Sequence, residues 1–573
     1  MIIKRAVAVF ATVSILAISA TETLAGASGP PPDDRLTIMS WQAPSTLIPY
    51  LSAGAKDVEA ASLVLEPLAR IAPDGQLVAW LAEEIPTHAN GGQSADLTTL
   101  TWRLRDGLTW SDGSAVTAQD VAFTWRYCTT EGLGCAQAAK FDGIADIETP
   151  DARTVIIRFA APRPNPYEAF VGAQSPILQR AQFAPCLPPQ GTDCTTANFA
   201  PIGTGPFMVA EFRPNDVIRL VANPRYRTPT QPGFAEVVLK GGGDAESAAR
   251  AVFRTGEADY ATNLQLAPDM LSRMAGGGTG VIETAFGPLV EYITLNLTDP
   301  DPVHGPARAT PAHPHPVLSD ARVRRALSLA LDRAALVEIG YGAAGRVTCN
   351  IVVAPEHFAS TANDACKTQD IEAARALLAE AGWHDSDADG IRDKDGRALT
   401  LSFQTSTNRV RQDFQAIIKH WWAQIGVGTE LRNINASVFF GSDPASPDTF
   451  QKFHADVQMF ASMFDGTDPE AFLRNWRCDR IPAPENGWQG SNIPRLCDTG
   501  YDALTDRLEH AATPQERARL VRALNDRLVT DHVLLPLVAR GRVSGRAQGL
   551  AGVEINPWDS EFWNIAQWHR RAE

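Results

Sequence analysis

LTWRLRDGLTWSDGSAVTAQDVAFTW, residues Leu100–Trp125, sets out a strand, a turn and the start of a helix in succession. Apolar and polar residues alternate through Leu100, Trp102 and Leu104, the period of a half-buried strand. Ser111-Asp112-Gly113 then reverses the chain. Thr117, followed three residues later by Asp120, supplies an N-cap with an acidic partner, so an amphipathic helix is predicted to start there. The segment is structural and carries no catalytic signature.

Upstream, Lys4 and Arg5 precede an apolar run from Ala6 to Ala20, and Ala25-Gly26-Ala27 provides the small residues of a cleavage site. Residues 1–27 are therefore predicted to be a removable secretion signal. No later segment approaches the roughly 18 uninterrupted apolar residues of a membrane span. The leader ends without a cysteine for lipid attachment, which points to a free periplasmic protein with no membrane anchor. The chain has 573 residues, a formal net charge of −15 and 44% hydrophobic residues. Such acidity argues against nucleic acid and anionic lipid surfaces as partners, and the length favours several domains, each able to bury a core.

The eight cysteines form four sequence-local couples: Cys128 with Cys135, Cys186 with Cys194, Cys349 with Cys366, and Cys478 with Cys497. In an exported chain this favours disulfides. Metal binding is the rival, but no couple has the two-residue gap typical of zinc sites, and the couples lie far apart. In the chain-entropy account each bridge contributes roughly 2.5 to 3.5 kcal/mol.

Working outward, Leu36–Met39 is predicted as a first strand, Val58–Leu68 as a helix, Pro73-Asp74-Gly75 as a turn and Thr154–Phe159 as a strand. PIGTGPF at Pro201–Phe207, then alternation over Val217–Val221 and Asn223-Pro224-Arg225-Tyr226, is a turn and hairpin pattern. Ala245–Gly256 is a predicted helix and Tyr292–Asn296 a buried strand. DARVRRALSLALDR at Asp320–Arg333 has apolar positions 323, 326, 327, 330 and 331 at helical spacing. The Leu100–Trp125 segment, the GTGPF segment with its downstream Asn-Pro-x-Tyr, and this helix resemble hallmarks of the family 5 extracellular solute-binding proteins, receptors that feed ABC importers. They stand in family order, and the resemblance runs from about residue 36 to the C-terminus.

The resemblance implies an α/β, two-lobed periplasmic binding protein fold of the large three-domain type, with a ligand cleft between lobes joined by a hinge. Domain I would comprise 33–72, 198–297 and 543–573, domain II the inserted 73–197, and domain III 298–542. It implies a monomer, needing no cofactor, that captures short peptides for an inner-membrane ABC permease. Nickel chelates, opines, haem and oligosaccharides are the alternatives on the same fold.

Catalysis finds no support. GxSxG, HExxH and Walker A patterns are missing, and the 11 histidines are scattered. His313-Pro314-His315 lies in a proline-rich loop and reads as a solvated connection before it reads as a metal pair. The chain is therefore not expected to be an enzyme, a secreted hydrolase being the remote alternative. In DSDADGIRDKDG, residues 385–396, Asp385, Asp387, Asp389 and Asp393 stand at positions 1, 3, 5 and 9 with Gly390 at 6, the oxygen spacing of a calcium loop. Gly396 replaces the bidentate glutamate of such loops, so a structural calcium and a polar turn both remain open.

The ligand chemistry falls on VQMFASMFDGTDPEAF, Val457–Phe472, where an apolar strand ends in an acid and Asp468-Pro469 opens a helix. Taken alone, Asp465 is a turn residue or a cap. The stretch resembles the segment of dipeptide- and oligopeptide-binding proteins in which a strand-end aspartate, three residues before an acidic-Pro pair, clamps the peptide ammonium, and Asp465 holds that position. The resemblance also implies that the backbone at Ala461 and Met463 pairs with the peptide main chain. Ser462 stands where some relatives carry an aromatic, and Phe464 and Tyr292 complete the expected peptide-binding set. Trp41, Tyr50, Trp476 and Trp488 lie in or near segments expected to face the cleft, although each also fits a core position. Trp421 and Trp422 are assigned to helix packing.

Overall fold

A computed structural model of the chain describes residues 34–571 except 53, 189–193, 278, 442, 444, 465 and 512. The predicted leader and Asp465 thus lie outside the described residues. The opening segment folds as its pattern dictates. Leu100 and Trp102 are fully buried on one face of the strand Thr99–Arg103, which pairs with Thr154–Phe159, itself paired with Ile144–Glu148. Asp120 Oδ2 accepts from the backbone N–H of Thr117 at 2.8 Å and from its hydroxyl at 3.0 Å, opening the helix Ala118–Thr129. Around this small sheet lies a core that includes Trp102, Trp110, Phe123, Tyr127 and Phe170.

Two larger sheets carry the rest. The first has seven strands in the spatial order Gly280–Ala285, Arg542–Ala547, Tyr260–Ala261, Arg35–Ser40, Glu236–Gly241, Val217–Ala222 and Phe207–Arg213. The second has six: Gly345–Val347, Leu534–Arg540, Val290–Leu295, Val457–Ser462, Thr400–Ser406 and Gly428–Ile434. The strand Val290–Leu295 is buried along its whole length, Glu291 and Thr294 included, and pairs antiparallel with strands on both sides. It therefore belongs with the second sheet, whereas the division read from sequence left residues up to 297 in the first lobe.

The chain crosses between these sheets twice, from Ala285 to Val290 and from Arg540 to Arg542, the second time with Gly541 alone between the strands. Gly541 donates its N–H to the Ala344 carbonyl at 2.7 Å. A Cβ on it would stand 2.8 Å from Cγ2 of Thr284, on the strand that leads into the other crossing.

Two predicted helices come out shorter. The first runs over Ala55–Ala61, beginning three residues earlier than expected and giving way to a turn from Ser62, and Pro67 bars any helical continuation to Leu68. Asp320–Arg333 divides into Ala321–Leu329 and Arg333–Gly340, because Asp332 turns to cap the second helix by accepting from Ala335 N–H at 3.0 Å. All four cysteine couples are bridged as paired in the sequence. No helix among the described residues is long and apolar enough to cross a membrane.

The small-sheet region meets the second lobe through a buried ion-pair network. Arg163 donates to Glu168 at 2.9 Å, to Glu470 at 3.3 Å and to Glu509 at 2.7 Å. Arg474 reaches back to Glu470 at 2.7 Å, to Glu168, and to the Ala139 carbonyl at 3.0 Å, and Arg517 joins Glu470 at 2.8 Å to Asp468 at 2.6 Å. Burial opposes the charge on Glu168, yet Arg474 and Arg163 hold its carboxyl below the usual range. Removing one member of such a buried set strands its partners. Arg474→Ala is therefore expected to cost about 3–5 kcal/mol in urea unfolding, while Arg250→Ala, which breaks the exposed pair with Glu246, costs under about 0.5 kcal/mol.

Candidate functional site

Where the three regions converge there is a cavity of about 360 Å³, within the size range of small-ligand sites. Its second-lobe wall is built by the strand Val457–Ser462. Tyr292 sits opposite Phe460 in the ladder, their rings 5.1 Å apart, and its hydroxyl lies 2.8 Å from the Ser462 hydroxyl. Burial pushes the Tyr292 phenol up, so it stays neutral. On its other side the strand is paired with Thr400–Ser406 only as far as Met459. Among the described residues, no strand lies beside Phe460–Ser462 on that side, so a stretch of main chain is left open at the cavity.

Aromatic rings finish this wall: Phe450 is 5.4 Å from Phe460, Phe464 is 5.4 Å from Phe472, and Trp476 is 4.8 Å from Phe472. Of the predicted set, Tyr292, Ala461, Ser462, Met463 and Phe464 all line the cavity, and so does Trp476. The Asp465 position lies outside the described residues, between Phe464 and Gly466, both of which line it. Tyr50 is instead core, its hydroxyl donating to the Pro176 carbonyl at 2.6 Å. Trp41 donates to the Asn263 carbonyl at 2.7 Å, and neither it nor Trp488 lines the cavity. Trp421 and Trp422 are buried in the second-lobe core, as expected.

The opposite wall is charged. Glu59, near the end of the short first helix, pairs with Arg542 at 3.1 Å and accepts the Glu561 backbone N–H at 2.9 Å and the Ser560 hydroxyl. Behind Tyr292, the fully buried Glu291 takes Arg411 at 2.6 Å and Tyr341 at 3.2 Å, with Arg540 at 3.6 Å. Sequence reasoning passed over Glu59, Glu291, Arg411, Arg540 and Arg542. One signal was available: an acid at position 291 inside the apolar strand requires a buried cation.

The acidic loop brings Asp385, Asp387 and Asp389 within 4.8 Å of one another, all exposed. Asp393, the fourth predicted ligand, is turned away: its Oδ2 accepts from the Ser386 N–H at 2.9 Å and hydroxyl at 2.6 Å. His315 is not solvated as expected but buried, its Nδ1 accepting from Leu318 N–H at 2.8 Å and its Nε2 2.8 Å from Asp456. That role is structural.

The model of the bacterial extracellular solute-binding proteins, family 5, matches residues 76–481. The chain belongs to this family. A Brucella ovis protein named for peptide binding in an ABC transporter is 27% identical over 428 residues, covering 74% of this chain and 72% of its own. The glutathione-binding protein GsiB of Escherichia coli is 24% identical over 473 residues, 81% of this chain and 82% of its own. The fold is that of the oligopeptide-binding protein AppA from Bacillus subtilis, solved with a nonapeptide, with a TM-score of 0.78 at 18% identity, covering 94% of this chain and 99% of that one.

Burial pushes the Glu59 carboxyl from 4.5 up to about 7 against the pull of Arg542. Between those values the native protein keeps a proton that the unfolded chain has released. The stability this group contributes is thus present below about pH 4.5 and is lost as pH rises through 7, by up to about 1.4 kcal/mol per unit. Urea unfolding across that window is expected to show a shallower decline with pH in Glu59→Gln than in the wild type.

Proposed function

We propose that the protein is a periplasmic receptor that binds short peptides between its lobes and hands them to an inner-membrane ABC permease, without catalysis and as a monomer. The observation that carries this is the open main-chain edge at Phe460–Ser462, set in a cavity with aromatic walls. An extended peptide satisfies such an edge through its own backbone, whatever its side chains. The relatives named for peptide and glutathione binding support the same ligand class. In this reading the leader of residues 1–27 is cleaved on export, domain II is 73–197, and the lobes of domains I and III close about the crossings at 286–289 and 541.

Asp465 is the proposed ammonium clamp. A peptide ammonium sealed from water needs a carboxylate partner, and every peptide with a free N-terminus has that group. For the exposed trio at Asp385, Asp387 and Asp389 we propose a structural calcium, away from the ligand. Millimolar calcium is expected to raise the melting temperature modestly, and Asp387→Ala to abolish the rise; an unchanged wild-type Tm leaves a solvated turn.

Asp465→Asn is expected to fold normally and to weaken peptide binding by roughly 2 to 5 kcal/mol, because a desolvated ammonium loses its counter-charge. N-acetylated peptides should weaken comparably with the wild-type protein. Titration calorimetry decides: equal affinities throughout reject the clamp, and no binding of any peptide turns the reading to nickel chelates, opines, haem or oligosaccharides.

A further inference from the structure

A peptide held in the cavity of about 360 Å³ between the lobes gives up water at both of its ends. The proposed Asp465 clamp answers the ammonium end. A free carboxylate buried in the same space needs a cation, and five cationic side chains line the walls. Four are committed. Lys56 pairs with Asp57 at 2.8 Å, Lys140 is partnered, Arg411 is forked onto Glu291 at 2.6 and 3.2 Å, and Arg540 stands over Tyr341, donates through Nη1 to Asn263 Oδ1 at 3.3 Å and lies 3.6 Å from Glu291.

Arg542 differs. Its side chain is 8% exposed, and Nη1 is well used, donating to Glu59 at 3.1 Å and to the Asp559 carbonyl at 2.7 Å. Nη2 donates instead to the thioether sulfur of Met463 at 3.3 Å. A thioether is a weak acceptor, and a buried guanidinium left with one is under-satisfied. The contact also spans the cavity, since Arg542 begins a strand of the first sheet and Met463 follows the strand Val457–Ser462 of the second. Met463 has three rotatable bonds, so its sulfur can be displaced without moving the main chain.

We propose that Arg542 is the anion subsite of this cavity. It receives a carboxylate of the bound peptide in place of the Met463 thioether, making the receptor selective for peptides that present a free carboxylate there. This rests on the peptide reading above. A guanidinium donating to carboxylate oxygens forms charge-assisted hydrogen bonds that a thioether cannot match. The surroundings favour the added anion. Burial pushes the carboxyls of Glu59 and Glu561 up, so the acids facing Arg542 resist ionising fully, while Arg540 adds positive charge. The hydroxyls of Ser544 and Tyr260 donate to Glu561 at 2.5 and 3.0 Å.

Calorimetry with Ala-Ala-Ala, its C-terminal amide, and Ala-Glu-Ala amide tests this on the full mature protein. The acid is expected to bind roughly 10- to 100-fold more tightly than the amide. Recovery of affinity with Ala-Glu-Ala amide would place an acidic side chain at Arg542; failure to recover would place the C-terminus there. Arg542→Gln should bring the acid-to-amide ratio close to one. Should that variant fail to fold with Glu59 unpaired, the double variant R542Q/E59Q keeps the site neutral and makes the same measurement. Equal binding of acid and both amides by the wild type, or a ratio that survives in the variant, overturns the subsite while leaving the peptide reading intact. No binding of any of the three overturns both.

Discussion

Gly541 is the constraint on which the arrangement of the two large sheets depends. One residue carries the chain from the last strand of the six-stranded sheet into the seven-stranded one, pressed against Thr284 beside the other crossing. A crossing that short forbids the sheets from drifting apart and leaves rotation as the motion available between them. It also sets Arg540 and Arg542 on either side of the junction, one pointing to Glu291 and the other to Glu59. The charged wall of the cavity is thus built at the pivot itself, where lobe movement displaces atoms least.

The opposite rim works differently. There the small-sheet region and the second lobe touch through Arg163 with Glu470 and Glu509 and through Arg474 with Glu168, while Arg517 braces Glu470 and Asp468 from behind. Ion pairs drawn out of water give back in attraction about what they cost in desolvation, so they add less to net stability than to the choice of one geometry. Parted from one another, these charges would regain water. Asp468 belongs to the turn that follows the strand Val457–Ser462, which couples the rim to the cavity through a few residues of chain.

Much of the fold was legible because it is periodic. Alternation at Leu100, Trp102 and Leu104, the Thr117–Asp120 box and the largely apolar strand around Ile293 each state their structure locally. The failures are tertiary. Asp332 breaks a helix whose apolar spacing runs on past it, and which sheet claims Val290–Leu295 is a matter of long-range pairing that no local pattern records. The site divides in the same way. The aromatic strand and its turn were visible as a segment and line the cavity, whereas Glu59, Arg411 and Arg542 come from widely separated positions and look like ordinary surface charges until the fold gathers them.

The disulfides close spans of 7, 8, 17 and 19 residues, and none links one lobe to the other. Two of them anchor cavity walls: Cys478–Cys497 encloses the loop bearing Gln489, Ser491 and Ile493, and Cys128–Cys135 precedes Ala136 and Gln137. The pivot carries no cross-link, while the walls it swings are stitched. Bridges placed so stiffen each wall from within its own loop and leave the turning of one sheet against the other untouched, so their reduction would loosen the lining of the cavity before it disturbed the crossings.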